Sequence, residues 1–323
     1  MENKYNVLIV GAGNIGAFFD KPLSMNILTH AHAFSNTEKF NLLGFIDLDR
    51  SKAEEASVIW TTSVFESLED AFRMHTVDII SMCVPDNYHY EILKKVLNFP
   101  VKLVFAEKPL AKTLEEAKEI RNLYYEKGTA CLINYSRRFV PEFEEIRNEF
   151  FDGKYGKFIT GSGYYGKGVL HNGSHMVDFL RYILGEITTT QSFNYNYDFY
   201  EDDPSISAII NFKNGGIFTM MNVPCNLYTI FELELLFERK KIKIKDSGFK
   251  IEVYDLADST IFKGYKNLLK KKEYNSSLGR AMENAVDNIW NYMKKGEKLK
   301  CTLEDGFKAM KICEKLRIDC CNE

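Results

Sequence analysis

The residues Gly11-Ala12-Gly13-Asn14-Ile15-Gly16 form a G-x-G-x-x-G set directly after the apolar run VLIV. Glycine at 11 permits a tight turn, at 13 it lets the backbone approach a pyrophosphate, and at 16 it lets a helix lie close to a sheet. The N–H groups of a helix starting here would face the anion. Asp47, in GFIDLD, follows at the end of a second apolar run. A carboxylate there can accept two ribose hydroxyls and repel a 2′-phosphate, so it favours NAD over NADP. Arg50 is close in sequence and could hold a phosphate, which keeps NADP open. His171, His175 and Asp178 recur at i, i+4 and i+7, a helical face that could hold a metal. No further ligand cluster accompanies them, so no metal site is expected; Asp178 is expected to anchor a helix start or to pair with Arg181.

These residues need a frame, and hydrophobic periodicity supplies one. Strand-length apolar runs at 5–10, 42–47, 77–84, 102–106 and 129–135 alternate with helical spacing, as at 114–126. Alternation of this kind predicts an α/β doubly wound parallel sheet over residues 1–135. Residues 17–46 separate Gly16 from Asp47, well beyond the roughly 20 residues usual for this motif. Asp20, Pro22 and Ser24 lie in the excess, so the first helix is predicted to break near Asp20 and resume over about 27–35, with the insertion at the surface. From about 158 to 254 the runs are strand-like without long helices between them, and Lys213-Asn214-Gly215-Gly216 reads as a hairpin turn. The second domain, 136–323, is therefore predicted to be α+β with an open, mostly antiparallel sheet, closed by helical spacing after Tyr274.

Two further segments narrow the reading. CVPDNYH (83–89) follows the strand at 77–84, and AEKPLAKTLEEA (106–117) follows the next. With INYSRRFVPEF (133–143) and HNGSHMVDFLRYILG (171–185), in this order, the chain resembles the glucose-fructose oxidoreductase / inositol dehydrogenase / MocA (Gfo/Idh/MocA) family over nearly its whole length. The resemblance implies NAD(P) bound between a Rossmann domain and an open sheet, and sugars, inositols or related polyols as substrates. It also implies a homodimer or homotetramer formed through the C-terminal sheet. It gives Lys108 and His175 as the catalytic pair and a cis bond between Lys108 and Pro109. Cofactor contacts are expected from Gly11, Gly13, Asn14, Ile15, Gly16, Asp47, Cys83, Pro85, His89, Glu107 and Lys108. His89 could equally cap a helix. Substrate contacts are expected from Tyr135, Arg137, Arg138, Asn172 and His175, with Arg137 or Arg138 either gripping an anionic group or sitting in a surface ion pair.

The chemistry agrees with those assignments. Oxidising an alcohol needs a group to take the hydroxyl proton, which suits a histidine near neutral pH, and an ammonium to stabilise the developing alkoxide. One residue departs from the family pattern: His171 stands where members commonly carry Asp. Two neighbouring imidazoles disfavour double protonation, so His171 is expected to keep His175 neutral and able to accept a proton. Two other functions remain open on the same scaffold: a non-catalytic dinucleotide-sensing regulator, and an NAD-dependent glycoside-cleaving enzyme.

Composition excludes other classes. Lys and Arg number 42 against 45 Asp and Glu, a net charge of -3, which leaves no basic surplus for nucleic acid or an anionic membrane. No apolar stretch approaches a membrane span. The opening MENKYNVLIV lacks the regions of a signal peptide, and seven cysteines without CxxC spacing fit free thiols in a reducing cytoplasm.

Overall fold

The structure, a computed structural model, describes residues 4–321. The chain divides into two compact units: residues up to Phe139 with Gly279–Lys308, and Val140–Leu278 with the residues from Ala309 onward. A single cut at 135 therefore misses that the chain returns to its first unit late.

The first unit carries β1 (Tyr5–Val10), α1 (His30–Ser35), β2 (Phe40–Ile46), α2 (Arg50–Trp60), β3 (Ser63–Val64), α3 (Leu68–Met74), β4 (Ile79–Met82), α4 (His89–Val96), β5 (Leu103–Ala106), α5 (Leu114–Lys127) and β6 (Ala130–Ile133). The six strands are all parallel, in the order β3-β2-β1-β4-β5-β6. This is the doubly wound arrangement that strand–helix alternation predicts, with its topological switch between β1 and β4. β1, β4 and β5 are almost wholly buried apolar runs because helices cover both faces of a parallel sheet. Thr113 and Glu116 close a capping box on α5, and Gly128 ends that helix in the left-handed region, with φ of 67°.

The second unit opens with α6 (Pro141–Phe151), β7 (Phe158–Tyr165) and α7 (Ser174–Leu184). Then come β8 (Ile187–Asn196), β9 (Ser205–Phe212), β10 (Ile217–Asn222), β11 (Phe231–Phe237), β12 (Lys240–Lys245), β13 (Lys250–Asp258) and β14 (Lys266–Asn275). They form one eight-stranded sheet, β14-β13-β12-β11-β7-β10-β9-β8, antiparallel except between β7 and β10. Sequence periodicity misses β14, whose alternate positions are largely exposed lysines, so no apolar face marks it. Apolar side chains of one sheet face pack on the helices, with Phe150 of α6 against Phe237 of β11. The opposite face shows Tyr164 beside Met221 and Glu232, and Glu234 paired with Lys241 and Lys243. Two helices finish the chain, α8 (Ala281–Lys295) in the first unit and α9 (Leu303–Cys321), where the division falls. No helix among the described residues is long and apolar enough to cross a membrane.

Gly11 and Gly16 fix where β1 ends. Gly11 has φ of +100°, and a Cβ on it would meet the Cys83 carbonyl carbon at 2.6 Å. A Cβ on Gly16 would lie 2.2 Å from the Gly11 carbonyl oxygen, and backbone cannot swing aside as a side chain can. Gly16→Ala is therefore expected to destabilise the fold by roughly 1–3 kcal/mol, as overpacking does. A urea-unfolding midpoint unchanged from wild type would show that the turn tolerates the methyl group.

Candidate active site

The glycine turn is followed by only five residues of helix, a wide i→i+5 turn at Asn14–Phe18, closed by Phe19 N–H donating to the Asn14 carbonyl at 2.9 Å. A segment this short has little macrodipole, so any anion binding there rests on its individual N–H groups. Asp20, buried, then gathers the chain. Its Oδ2 accepts from Leu28 N–H at 2.6 Å and pairs with His32 Nδ1 at 2.8 Å, while Oδ1 accepts from the Thr29 hydroxyl at 2.5 Å. Thr29 caps α1. The break at Asp20 and the surface loop match the sequence reading; the helix resumes at His30 rather than about 27. Leu23 and Met25 at the tip are exposed. The Ala17 carbonyl, left by the broken helix without an i+4 donor, accepts from Trp60 Nε1–H at 3.0 Å.

Asp47 sits at the glycine turn, Oδ2 accepting from Ala12 N–H at 2.7 Å and Oδ1 from Asp49 N–H at 2.9 Å. Arg50 is engaged by Glu54 at 2.8 Å and Glu66 at 3.0 Å. Nothing lies within 4 Å of where a Gly13 Cβ would stand. The turn is thus tight at Gly11 and Gly16 and open at Gly13, which fits a dinucleotide whose pyrophosphate approaches the backbone there. Asn14 is exposed and Ile15 packs on the core. The Cys83 thiol is buried in that core, and burial pushes its pKa well up, so at this position only backbone is available to a ligand.

At the carboxyl end of β5 the sequence reading found Glu107 and Lys108 but missed what holds them. Glu107 Oε1 lies 3.0 Å from His30 Nε2 and accepts from Asn134 Nδ2 at 2.6 Å. His30 Nδ1 lies 2.6 Å from the Ser81 hydroxyl, and its ring packs on Phe105. Burial alone would raise the Glu107 pKa; the hydrogen bond and charge of His30, with Asn134 and the nearby Lys108, outweigh it and hold the carboxyl below its usual value. The Lys108–Pro109 peptide is cis. His89 Nδ1 stands 2.6 Å from the Pro109 carbonyl and Nε2 2.9 Å from the Val84 carbonyl. The ring is buried and ties the PDNYH segment to the EKP turn, so it bears on a cofactor site through position. Burial lowers its pKa against the pull of both carbonyls. Pro85 is exposed and starts the turn before α4.

After β6, Tyr135 is buried. Arg138 does not reach outward: it donates to the Lys300 carbonyl at 3.1 Å and pairs with Asp305 at 3.1 Å, a buried brace that corrects its reading as a substrate contact. Arg137 keeps part of its surface, but its guanidinium is enclosed, and the loss of water pulls its pKa down to about 9.

In the second unit, His171 and Asn172 lie in a wide turn, Gly168–Gly173, and His175 in the first turn of α7; all three are half-buried. His171 has a carboxylate partner of its own. Its Nδ1 is 2.6 Å from Asp203 Oδ2, a partner the sequence reading did not name, and its ring stacks on Tyr200 at 3.8 Å. Position 171 thus carries an imidazole, and the carboxylate comes to it from Asp203. Asp178 pairs with Arg181 at 3.9 Å, as expected. Among the described residues no group of three or more His, Cys, Asp or Glu could hold a metal.

Residues 5–135 match the family model GFO_IDH_MocA, described as the oxidoreductase family with an NAD-binding Rossmann fold. The chain is 26% identical over 209 residues to scyllo-inositol 2-dehydrogenase (NAD(+)) of Bacillus subtilis strain 168, covering 58% of this chain and 57% of that protein. It is 26% identical over 251 residues to D-glucoside 3-dehydrogenase of Escherichia coli K12, covering 65% and 68%. Its fold is that of UDP-N-acetylglucosamine 3-dehydrogenase from Acidithiobacillus ferrooxidans, with a TM-score of 0.76, 14% identity and 98% of each chain covered.

The buried histidine gives the fold a definite pH response. Because His89 has a folded pKa below its ordinary 6.5, the unfolded chain binds more protons as pH falls below about 6.5. Stability present above that pH is lost as pH drops through the folded value. Glu107, held low, adds a loss in the same direction at more acid pH. Urea unfolding from pH 7 to 4 is expected to show falling stability, and His89→Gln to flatten the part just below 6.5. An unchanged slope in that variant would place the sensitivity elsewhere.

Proposed function

We propose that the chain, whose residues 5–135 match the GFO_IDH_MocA oxidoreductase model, is an oxidoreductase of that family and moves hydride between a sugar, inositol or sugar-derivative hydroxyl and a nicotinamide cofactor, as the names of its relatives suggest. The observation that carries the reading is the EKP turn: a lysine on a strand end whose neighbouring carboxylate is pinned by His30 and Asn134. A surface lysine needs no such foundation. NAD is the cofactor the residues favour, because Asp47 is fixed at the glycine turn while Arg50 is occupied by Glu54 and Glu66.

Gly13 and the N–H groups around it would hold the pyrophosphate, and Asp47 the ribose. When bound, the nicotinamide supplies the hydride acceptor. The protein's own part is proton handling and charge. Lys108 stabilises negative charge developing on the substrate oxygen, and the histidines of the second unit, His175 together with His171, take or return the hydroxyl proton. Asn172, Tyr135 and Arg137 are the candidate substrate contacts. The exposed sheet face around Tyr164 and Ile217 is the proposed surface between copies of the chain.

Turnover tests the reading. With NAD and NADP, a panel of inositols, free sugars and nucleotide sugars is expected to yield reduction of NAD by at least one compound. Tight NADH binding with no reduction across the panel would select the dinucleotide-sensing regulator, and release of an aglycone without net reduction the glycoside-cleaving enzyme. Lys108→Ala should lower kcat by roughly two to three orders of magnitude, the scale of losing a group that stabilises transition-state charge, and leave NADH affinity nearly unchanged. Gly13→Ala should do the reverse: unfolding as in wild type and NADH affinity reduced about tenfold or more, read by protein fluorescence.

A further inference from the structure

The second unit carries a proton-handling pair that motif reading does not show. Asp203, in the segment between β8 and β9, is 2% exposed and turns its carboxylate onto the Gly168–Gly173 turn. It accepts from Leu170 N–H at 3.0 Å, from His171 N–H at 3.1 Å, and meets His171 Nδ1 at 2.6 Å. The contact is built in from several sides. Gly168 N–H donates to the Ser205 hydroxyl at 2.8 Å, Val169 N–H to the Pro204 carbonyl at 2.9 Å, and Ser205 in turn to Asp198 at 2.7 Å. A Cβ on Gly168 would stand 2.1 Å from Asp203 Oδ2, so glycine makes room for the carboxylate. Tyr200 lies nearly parallel to the imidazole, at 16° and 3.8 Å between ring centres.

We propose that Asp203 is a positioning residue that fixes His171 as its Nδ1–H tautomer and strengthens Nε2 as a proton acceptor, so that the Asp203–His171 pair takes up the substrate's hydroxyl proton. A carboxylate that only closed the turn would be satisfied by the two backbone N–H groups. Here it also takes the imidazole at charge-assisted distance, and the stacked tyrosine fixes the ring's plane. The negative charge, which the family pattern places at 171 itself, thereby reaches the site from a residue 32 positions away. In the step, the O–H bond breaks and the proton bonds to Nε2. The oxygen's electron pair closes the carbonyl as the carbon gives up its hydride, which a bound nicotinamide would accept, and His171 then releases the proton to water. The assignment rests on the dehydrogenase reading only for the origin of that proton.

Other charges around the pair set the size of the effect. His175 stands four residues on, and Lys167 is held over Phe199 at 4.5 Å. Asp178 is engaged with Arg181, and Arg317 donates to the Asp202 carbonyl at 2.8 Å. Burial first, and then the Asp203 charge, push the Cys313 thiol well above its usual pKa; Tyr165, also buried, is pushed up too, so neither competes for a proton near neutral pH.

The test reads the imidazole directly. In the full-length protein with ¹⁵N-labelled histidine, NMR of the ring nitrogens at pH 7.5 is expected to show His171 protonated on Nδ1. Asp203→Asn should lower the His171 pKa by about one unit or more, a tenfold loss of proton affinity. An Nε2–H tautomer in the wild type overturns the proposal, and that measurement stands even if the variant does not fold. An unchanged His171 pKa in a folded variant overturns it as well. With a polyol or sugar that turns over, His171→Gln should lower kcat at least tenfold with NADH affinity unchanged; undiminished kcat overturns the proton-acceptor role. If no compound turns over, the dehydrogenase reading falls while the tautomer and pKa still decide the pair.

Discussion

A charged group with almost no water around it controls the first unit. Ionised Glu107 is buried, and an isolated carboxylate in that position would lose several kcal/mol of solvation. It remains ionised because His30 and Asn134 both meet one of its oxygens and Lys108 lies next in sequence. Each partner comes from a different strand or helix: α1, β5 and the segment after β6. The carboxylate therefore registers three elements against one another at the place where the chain presents its lysine. Removing a partner would do more than delete a bond, since it would leave a buried charge uncompensated, the kind of change that costs about 3–5 kcal/mol.

This constraint explains why the long insertion after the glycine turn does not disorder the site. His30, which Glu107 needs, lies immediately after the insertion. Asp20 ties the two ends of the loop together through Leu28, Thr29 and His32, so the loop's exposed tip at Leu23 and Met25 is mechanically separate from the histidine. Trp60 fills the remaining need by supplying a donor to Ala17, while its ring lies against His32. The first helix is broken, yet the polar groups at the break, Asp20 and the Ala17 carbonyl, have partners.

The architecture was largely readable in the sequence because it rests on period and turn chemistry. Apolar runs alternating with helical spacing gave the parallel sheet, the glycine spacing gave the turn, and Asn214-Gly215 gave the hairpin between β9 and β10. The features that failed to show are those with no local signature. Nothing near His30 announces that it will meet Ser81 and Glu107, 51 and 77 residues away. Arg138, in the sequence an attractive anion grip, is consumed by Asp305 and the Lys300 carbonyl far along the chain. β14 was invisible for a different reason: an edge strand of exposed lysines has no face to bury and so no period. Short motifs name the groups at a site, but their partners are chosen by the fold.

At position 171 the motif residue is set by the local sequence and its partner by the fold. Read as a string, histidine in place of the family's aspartate looks like the loss of a charge. In the folded second unit a carboxylate is present, Asp203, which meets both the backbone N–H and the ring of His171. The substitution thus changes which atom carries the negative charge and inserts an imidazole in front of it. A carboxylate at 171 would be a hydrogen-bond acceptor only, whereas an imidazole backed by a carboxylate can both accept and return a proton near neutral pH. The glycine at 168 makes the arrangement possible, because any side chain there would displace the Asp203 oxygen that the imidazole meets.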